Sequence, residues 1–472
     1  MINNYLKFDV KQFKFNYVIL ILNRNSSQGK KNLTVKTLII GHGAREHVIG
    51  ETLVKDGATL YAFMSSKNAG LEDLSQGRIK IHSETDFKEI IEFSKENGIE
   101  FAVIGPEAPL VVGIVDALEK NGIPCVGPGI EAAQLEGSKI FTRALLEKYK
   151  IPSNIRSKSF DSMENVESYL KDLGEENIVV KPDGLTGGKG VKVFGDHLFS
   201  KQDILDYCLT LVDQKASFLI EEKVDGEEFT LQTFVDGKNV VATPLVQDHK
   251  RAYEDDTGPN TGGMGSYSME DHLMPFISQE DVDEAIEDMK KVVAATKAET
   301  GVEYKGFLYG GYIKTAEGIK LIEFNARLGD PEAMNILPLL KTNFIDICMG
   351  IINGNLKSDI KFEKKATVCK YLAPEGYPTS PKKDELVVIN KEKLEQIGAK
   401  YYYASVYREG ENVYTTSSRA MGIIGIANNL PSAERIAEQG VGCVSGKLFY
   451  RKDIGTSKLL QKRIDHMSSL LQ

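Results

Sequence analysis

Three polar side chains, those of Glu323, Asn325 and Arg327, alternate with apolar residues in the segment LIEFNARLGDPE at 321–332. In an extended strand, alternate side chains point to the same face, so this pattern predicts a face that carries a carboxylate, an amide and a guanidinium. Carboxylate and amide oxygens suit an octahedral Mg²⁺ that bridges nucleotide phosphates, and an arginine suits a developing oxyanion or acyl phosphate. An exposed polar strand is the alternative interpretation, but the opposite face is too uniformly apolar to favour it.

Two glycine-rich loops could close over such phosphates. The first, PDGLTGGKGV at 182–191, has four glycines and follows a β-rich run that ends in Lys181. Its glycines let backbone N–H groups approach phosphates. A flexible hairpin is the alternative, and the spacing is not that of a Walker A loop.

The second glycine-rich loop, DTGPNTGGMG at 256–265, follows QDHKR at 247–251 and has no hydrophobic anchor except Met264. Such a loop is costly to order, which favours a binding role.

The remaining polar residues around these loops are less specific. The strand end EEKVDGEE at 221–228 could bind an adenine edge through its backbone and ribose hydroxyls through a carboxylate. Five acids within those eight residues are more often a solvated turn. His249 is either a hydrogen-bonded structural histidine or a surface histidine, and no catalytic role is assigned to it.

Two further motifs follow predicted strands nearer the N-terminus. GHGAREH at 41–47 ends a strand and opens a helix, so its N–H groups could hold an anion, with Arg45 adding positive charge. The dinucleotide-binding fingerprint would need a glycine where Glu46 stands and an acid near Ser65, so NAD and a dehydrogenase are disfavoured. An ordinary tight turn is the alternative. Glu107, at the end of a later strand, could hold a ribose hydroxyl or an amine.

The elements that must position these residues alternate along the chain from Val35 onwards. Strands that alternate with helices predict a doubly wound parallel sheet, whose ligands bind beyond the carboxyl ends of its strands. The predicted strands are 37–41, 59–63, 101–105 and 124–127, and the predicted helices are 46–55, 86–97 and 110–121.

A second region, from about 131 to 353, mixes hairpin signals with one clear helix. The run 218–234 ahead of Val235-Asp236-Gly237 favours a strand and a tight turn. Apolar residues recur at helical spacing along 279–297, behind a capping box formed by Ser278 and Asp281. After about 366 the chain is strand-rich, which indicates a small α+β domain.

Length and composition exclude several classes of protein. The 472 residues predict about three domains, and 58 Lys and Arg against 67 Asp and Glu disfavour a nucleic-acid partner. Five well-separated cysteines, none in a C-x-x-C pair, favour a reducing cytoplasm over a disulfide framework or a structural zinc site. The longest N-terminal apolar run, 17–22, is too short to span a membrane. Residues 1–34 are polar and predict a loosely attached extension, with an edge strand or a misassigned start codon as alternatives.

These motifs resemble those of the ATP-grasp ligases and, within them, the phosphoribosylamine–glycine ligase family of purine biosynthesis. The resemblance covers about 35–455, and its most specific element is the GPNTGGMG loop. The other motifs that carry it are GHGAREH, GPEAPLVVGIVDAL, LEGSKIFTR, KPDGLTGGKGV, DHKR, EFNARLGDPE and FYRKDIG.

The resemblance implies a multidomain fold of the α/β and α+β classes. The expected parts are an N-terminal extension (1–34), a doubly wound parallel substrate-binding domain (35–138), an ATP-grasp domain (139–353) with a mobile lid subdomain at about 156–222, and a small C-terminal α+β domain (366–472).

The resemblance also implies that ATP drives the ligation of glycine to 5-phosphoribosylamine, which yields glycinamide ribonucleotide, ADP and phosphate. Arg327 would stabilise a glycyl phosphate, and Glu323 and Asn325 would hold Mg²⁺ or Mn²⁺. The residues implied at the ATP site are Lys139, Lys181, Gly187, Gly188, Gly190, Glu221, Glu222, Val224 and Glu228. The residues implied at the substrate site are Gly41, Gly43, Arg45, Glu107, Asp248, Lys250, Arg251, Asn260, Thr261, Gly262 and Gly263. With neither nucleic acid nor a membrane as partner, the chain would be a cytoplasmic monomer or weak homodimer.

A few positions depart from the family pattern. Leu328 stands where phenylalanine is usual, and 333–335 replaces a usual Thr-Gln pair. Gly311 stands where many ATP-grasp enzymes place another metal ligand, which weakens the case for a full two-metal site.

One alternative function is that of another ATP-grasp ligase that acts on a phosphoribosyl purine precursor or bicarbonate, which would have a different 256–265 loop. Another is an inactive nucleotide-binding regulator, which would lack one of the polar residues at 323, 325 and 327; all are present.

Overall fold

The computed structural model describes residues 34–187 and 190–472. Residues 1–33, which make up almost all of the predicted extension and include the apolar run 17–22, lie outside the described residues, and so does Gly188. Within the described ranges, no helix is both long enough and apolar enough to cross a bilayer.

The N-terminal sheet is parallel throughout, as the alternation of strands and helices predicted. Its strands are β1 (Val35–Ile40), β2 (Ala58–Met64), β3 (Ile79–Ile81), β4 (Phe101–Ile104) and β5 (Cys125–Val126). Its helices are α1 (Ala44–Lys55), α2 (Ala69–Ser75), α3 (Phe87–Asn97), α4 (Glu107–Val111) and α5 (Ile114–Lys120). The strand order β3-β2-β1-β4-β5 reverses between β1 and β4. The loops after these two strands therefore line the crevice in which such sheets bind ligands.

The helix predicted over 110–121 is wrong, because two short helices take its place. α4 ends at Val111 and α5 begins at Ile114, since Gly113 adopts a left-handed conformation (φ +94°) that a right-handed helix cannot contain. The apolar spacing continues across the break, so periodicity alone does not reveal it. Glu107 consequently lies at the start of a separate helix that begins at the crevice.

Two helices, α6 (Ile130–Gly137) and α7 (Lys139–Lys148), lead from β5 to a separate antiparallel sheet. Its strands, in the order β6-β9-β7-β8, are β6 (Ser157–Phe160), β7 (Ile178–Pro182), β8 (Lys192–Val193) and β9 (Phe218–Glu222). Two helices, α8 (Val166–Leu173) and α9 (Lys201–Asp213), pack on it around a hydrophobic core of their own. This unit carries Lys181 on β7 and Glu221 on β9.

A central antiparallel sheet carries the motif at 321–332. Its strands, in the order β11-β10-β16-β17, are β10 (Glu227–Asp236), β11 (Val240–Ala242), β16 (Lys305–Thr315) and β17 (Gly318–Asn325). The turn predicted at 235–237 joins β10 to β11, but the run 218–234 is two strands, β9 and β10, in different sheets. One face of the sheet packs against α10 (Gln279–Thr300), whose capping box of Ser278 and Asp281 is present.

A third sheet joins strands from two regions of the sequence. Its order is β12-β15-β18-β23-β20, with β12 (Gln247–Asp248), β15 (Gly265–Ser268), β18 (Ala366–Pro374), β20 (Lys400–Tyr403) and β23 (Met421–Ala427), and β25 (Leu448–Phe449) pairs with β18. The first two strands flank the glycine-rich loop at 256–265, and the others lie beyond residue 366. The C-terminal region therefore extends the sheet whose strands β12 and β15 flank that loop.

The remaining elements complete the surface around this framework. The strands are β13 (Arg251–Tyr253), β14 (Thr257–Asn260), β19 (Leu386–Ile389), β21 (Val406–Glu409), β22 (Asn412–Thr415) and β24 (Val444–Ser445). The helices are α11 (Ala333–Ile336), α12 (Phe344–Asn353), α13 (Lys391–Ile397), α14 (Leu430–Val441) and α15 (Ser457–Leu470), and short 3-10 turns lie at Glu254–Asp256 and Leu337–Leu339. α12 contributes Phe344 to the core that contains Phe234 and Phe307 of the central sheet.

Candidate active site

The end of β17 presents the polar face that the sequence predicted, with one irregularity. Successive residues of β16 pair with Glu323 and Leu321, which leaves Ile322 as the extra residue of a bulge. The Ile322 carbonyl accepts a hydrogen bond from Lys181 Nζ at 3.4 Å. The alternation therefore holds from Glu323 to Asn325, whereas Ile322 does not belong to a uniformly buried apolar face.

The Arg327 guanidinium lies just beyond β17, where four protein groups hold it. Its Nε donates to Glu107 Oε2 (3.2 Å), and its Nη2 donates to Asn325 Oδ1 (3.2 Å) and lies 3.0 Å from Glu136 Oε1. Its Nη1 donates to the Leu328 carbonyl at 3.4 Å. Burial disfavours the charged form, but Glu136 and Glu107 outweigh it and raise the pKa of Arg327 above its usual range.

Four cationic side chains act on the carboxylate of Glu323. The partial burial of Glu323 acts to raise its pKa, but Lys250, Lys181, Arg327 and Lys139 together hold the pKa below the ordinary value. Lys181 lies in the sheet of the unit formed by residues 157–222, and Lys139 begins α7. Lys250 follows the end of β12, and Arg327 follows the end of β17. The fold thus brings positive charge from four separate elements to one carboxylate.

Glu221 is committed to ion pairs inside the protein. Its Oε1 accepts from Arg143 Nε (2.7 Å), and its Oε2 lies 2.6 Å from Lys181 Nζ. Although burial acts to raise the pKa of Glu221, these two cations lower it to about 2. The side chain therefore orients Lys181. Because β9 ends at Glu222, the backbone of Lys223 and Val224 is the part of this segment that leaves the sheet.

The loop after β7 is held at both ends. Lys139 Nζ donates to the Gly184 carbonyl (2.6 Å), and the Tyr207 hydroxyl donates to the Gly190 carbonyl (2.6 Å). Gly187 and Gly190 adopt positive φ angles of +57° and +101°, which favour glycine. Burial lowers the pKa of Lys139. An anion bound beside Lys139 would offset the cost of enclosing its positive charge.

Asp248 and Lys250 enter the same space from the end of β12. Lys250 Nζ lies 3.6 Å from Glu228 and 3.7 Å from Glu323. Burial raises the pKa of Asp248 to about 7, with Glu332 adding to the effect and Lys250 opposing it. An enclosed acid of this kind is suited to a substrate group that carries a proton or a positive charge.

His249, between these two residues, points away from the site. It is 2% exposed, and its ring lies 5.9 Å from that of Tyr267. Burial lowers its pKa to about 3. Among the described residues neither ring nitrogen has a hydrogen-bond partner, so His249 is a neutral, buried histidine.

The glycine-rich loop at 256–265 forms a hairpin in which Arg251 pairs with Asn260. The Arg251 guanidinium turns outward and lies 2.5 Å from Asp196 of the 157–222 unit. The Thr261 hydroxyl donates to the Lys250 carbonyl at 2.9 Å. The hairpin is thus anchored to the lysine that enters the site, and Arg251 itself contacts the neighbouring unit.

Arg419, in the loop between β22 and β23, holds the tip of this hairpin. Its Nη1 donates to the carbonyls of Gly262 and Gly263, and its Nη2 donates to Asp330. The Tyr371 hydroxyl donates to the other carboxylate oxygen of Asp330 at 2.7 Å. The C-terminal region therefore fixes both the loop and the segment that follows Arg327.

The turn after β1 is neutralised by the chain itself. The Gly43 N–H donates to Glu46 Oε2, and Arg45 Nε donates to Glu46 Oε1, both at 2.6 Å. A Cβ atom at Gly41 (φ +121°) would lie 2.6 Å from Glu46 and 2.8 Å from Pro106. The Glu46 carboxylate thus occupies the helix N-terminus at which an external anion was expected, and the turn packs closely against the loop after β4.

The donor set at the end of β17 fits a divalent cation shared with a nucleotide. Glu323 is half-exposed and Asn325 follows it on the same face, which suits a cation that keeps phosphate and water oxygens among its ligands. A Cβ atom at Gly311 would lie 3.5 Å from Glu323, so position 311 adjoins the donors but supplies none. Within the described residues, no group of three His, Cys, Asp or Glu side chains is arranged to hold a metal alone.

Sequence profiles of phosphoribosylglycinamide synthetase match three consecutive stretches of the chain. The N domain matches 35–136, the ATP-grasp (A) domain matches 137–333, and the C domain matches 367–457. The chain belongs to the phosphoribosylglycinamide synthetase family. The prediction of an ADP-forming ATP-grasp ligase of purine biosynthesis, with ATP as cosubstrate, is confirmed.

Individual members of the phosphoribosylglycinamide synthetase family align over most of the chain. The phosphoribosylamine–glycine ligase of Thermococcus gammatolerans is 48% identical over 433 residues, 92% of this chain and 97% of that protein. That of Methanothermobacter thermautotrophicus is 47% identical over 440 residues, 92% of this chain and 100% of that protein. The crystal structure of the Thermotoga maritima phosphoribosylamine–glycine ligase matches with a TM-score of 0.76 at 27% identity and covers 89% of this chain and 100% of that one. Biotin carboxylase from Campylobacter jejuni, at 13% identity and a TM-score of 0.68, shares the fold over 92% of this chain and 98% of that one.

Several residues that shape the site of this phosphoribosylglycinamide synthetase family member were missed from the sequence. Glu136 and Arg143 lie in the LEGSKIFTR motif, from which only Lys139 was assigned a role. Arg419 and Asp330 meet across the boundary of two regions. A lone arginine after two serines carries no local signal, so Arg419 could not have been found by pattern.

Proposed function

We propose that the chain uses ATP to ligate glycine to 5-phosphoribosylamine, and that glycyl phosphate is the intermediate. The observation that carries this proposal is the convergence of Lys139, Lys181, Lys250 and Arg327 on Glu323. Lys181, Lys250 and Arg327 also pair with carboxylates of the chain, and all four cations lie where they could contact the charge of a triphosphate or an acyl phosphate. Arg327 also contacts Glu107 at the crevice of the parallel sheet, so the two halves of the reaction would meet there.

The chemistry explains why such a cluster is needed. A glycine carboxylate is a poor electrophile, because its charge is delocalised over two oxygens and oxide would have to leave. Attack of that carboxylate on the γ-phosphorus of ATP gives an acyl phosphate and ADP, with Lys139 and Lys181 neutralising the triphosphate and Arg327 the acyl phosphate. Glu323 and Asn325 would hold Mg²⁺ or Mn²⁺, which when bound neutralises charge on phosphate oxygens.

We place the rest of the nucleotide on the 157–222 unit and the adjoining strand. The backbone from Glu222 to Val224 would contact adenine, and the half-exposed Glu228 would take ribose hydroxyls. Glu221 would act through Lys181 rather than touch the nucleotide. The loop at 184–190, including Gly187, Gly188 and Gly190, would cover the phosphates.

We place 5-phosphoribosylamine in the crevice between β1 and β4, against Gly41, Gly43 and Glu107. Its amine would attack the glycyl carbonyl, and inorganic phosphate would leave. Asp248 and Lys250 would contact glycine, and the hairpin tip at 260–263 would close over the acyl phosphate to exclude water. Arg45 is paired with Glu46, and Arg251 is paired with Asp196. The two arginines would therefore stabilise these loops without contacting the substrate.

We also propose a cellular setting for the protein. The cysteines at 125, 208, 348, 369 and 443 are free and buried, which is in keeping with a cytoplasmic location. We propose a monomer or weak homodimer.

Omission of single substrates tests the reaction. Purified protein should release ADP when ATP, glycine and freshly generated phosphoribosylamine are all present, and product formation should stop when either glycine or phosphoribosylamine is omitted. ADP release that requires bicarbonate instead of glycine would replace this function with that of another ATP-grasp ligase.

A further inference from the structure

Glu136, the residue before the last of α6, contacts the segment after β17 at two points. Its Oε1 lies 3.0 Å from Arg327 Nη2, and its Oε2 accepts the Ala326 N–H at 2.7 Å. The side chain is 5% exposed. Both carboxylate oxygens are therefore directed at the strand end that carries Arg327, and none of the substrate or nucleotide roles proposed above uses them.

Among the contacts of the described residues, one N–H of Arg327 is left for a ligand. Glu107 takes Nε, while Asn325 and Glu136 lie against Nη2. An arginine side chain has five N–H donors, and on Nη1 the Leu328 carbonyl takes one of the two. The remaining N–H, on Nη1, is the donor that could reach a substrate oxygen. The direction of this N–H depends on the orientation of the guanidinium plane, which Glu107 fixes at Nε and Glu136 fixes at Nη2.

We propose that Glu136 is a positioning residue of the ligase: it holds the Arg327 guanidinium so that Nη1 faces the glycyl phosphate. This inference rests on the proposed function. Glu136 also lies three residues before Lys139, whose Nζ donates to the 184–190 loop. Glu136 therefore links the helix pair that carries Lys139 to Arg327.

The electrostatic surroundings of Glu136 give the inference a distinctive signature. Arg327 and the Ala326 N–H face it from the end of β17, Glu107 faces it from α4, and Arg45 and Tyr304 lie further away. Burial raises the pKa of Glu136 to about 7; Arg327 opposes this and Glu107 adds to it. The carboxylate gains its charge as pH rises through about 7, and its hold on Arg327 strengthens over the same range.

The test compares E136Q with a matched control, D288N. Asp288 is also a buried carboxylate, 1% exposed, which accepts a backbone N–H (Ser153, 3.0 Å) and pairs with a lysine (Lys291, 3.2 Å) away from the site. We expect E136Q to lower kcat by ~10-fold or more through misplacement of Arg327, with KM for ATP unchanged. We also expect more ADP than ligated product, because a poorly held acyl phosphate is lost to water. The ratio of wild-type to E136Q kcat should rise between pH 6 and 8 as Glu136 ionises.

D288N should leave kcat and the ratio of ADP to product as in the wild type. Equal kcat and equal coupling in E136Q and D288N would overturn the inference, and so would a kcat ratio that does not change with pH. If E136Q does not fold, E136D is measured instead; it keeps the charge but shortens the side chain by one methylene, and it should lose coupling while keeping the pH response. A wild type that needs neither glycine nor phosphoribosylamine would refute the proposed function, whereas these comparisons concern Glu136 alone.

Discussion

The Arg419 guanidinium and the Asp330 carboxylate form a salt bridge with an Nη2–Oδ2 distance of 3.1 Å. The guanidinium also donates to the carbonyls of Gly262 and Gly263 at 2.9 and 2.8 Å, and it stacks 4.2 Å from the centroid of the Tyr371 ring. A single side chain of the C-terminal region thus links the hairpin tip to the segment that follows Arg327.

Replacement of Arg419 by alanine should loosen that hairpin. The loss of hydrogen bonds from a charged donor should lower kcat by ~10-fold or more and increase amide hydrogen exchange across 258–263. Arg408→Ala is the control, because Arg408 makes a comparable two-point contact with Asp73 at the surface. Unchanged exchange in the Arg419 variant would show that the hairpin is ordered without it.

Substitution of Arg327 by lysine should impair turnover much more than ATP affinity. A lysine keeps the positive charge but cannot contact Glu107, Glu136 and Asn325 together while it presents a planar donor to an acyl phosphate. We expect kcat to fall by ~10²-fold or more, as for removal of an oxyanion donor, and KM for ATP to stay close to that of the wild type. A variant with normal kcat would remove Arg327 from the mechanism.

His47 should make the stability of the protein depend on pH. Burial lowers its pKa to about 4, and its Nδ1 accepts the Tyr403 N–H at 2.9 Å. The unfolded chain, with an ordinary histidine pKa of about 6.5, binds the proton that the folded ring rejects. The stabilisation is therefore complete above pH 6.5 and is lost as pH falls toward 4, by at most ~1.4 kcal/mol per pH unit.

Urea unfolding at several pH values checks this expectation with His47→Asn. Asparagine offers an acceptor oxygen near the position of Nδ1 and does not titrate. The free energy of unfolding of the variant should fall less steeply between pH 6.5 and 4 than that of the wild type. Parallel curves for the two proteins would mean that His47 is not the group responsible.

Oxygen transfer tests the acyl phosphate itself. When the amine displaces phosphate from glycyl phosphate, the phosphate keeps one oxygen that began in the glycine carboxylate. Glycine labelled with ¹⁸O in its carboxylate should therefore yield ¹⁸O-labelled inorganic phosphate in step with product, as measured by mass spectrometry. Product accompanied by unlabelled phosphate would exclude this route and the role of Arg327 in it.

Features that depend on local periodicity were predictable from the sequence. The parallel N-terminal sheet follows from strands that alternate with helices, and α10 follows from its apolar spacing and its Ser278 cap. The polar face at Glu323 and Asn325 follows from the two-residue period of a strand. In each case the information lies within a few residues of the feature.

Features that depend on which charges meet in space were not predictable. Glu221 was expected beside the nucleotide, but Arg143 and Lys181 neutralise it. Glu46 was seen only as an obstacle to a dinucleotide, yet it occupies the start of α1. The partner that satisfies a buried carboxylate is chosen by packing between distant elements, so its identity cannot be read from local spacing.

The pairing of β15 with β18, in which Gly265 lies opposite Lys370, affects how the chain can be divided. A polypeptide that stopped between α12 and β18 would leave β15 as an open sheet edge, with unpaired N–H and C=O groups next to the glycine-rich hairpin. Such a truncated chain would be prone to aggregate through that edge. Two fragments expressed separately, with the cut in the same interval, could reassociate by pairing β15 of one with β18 of the other.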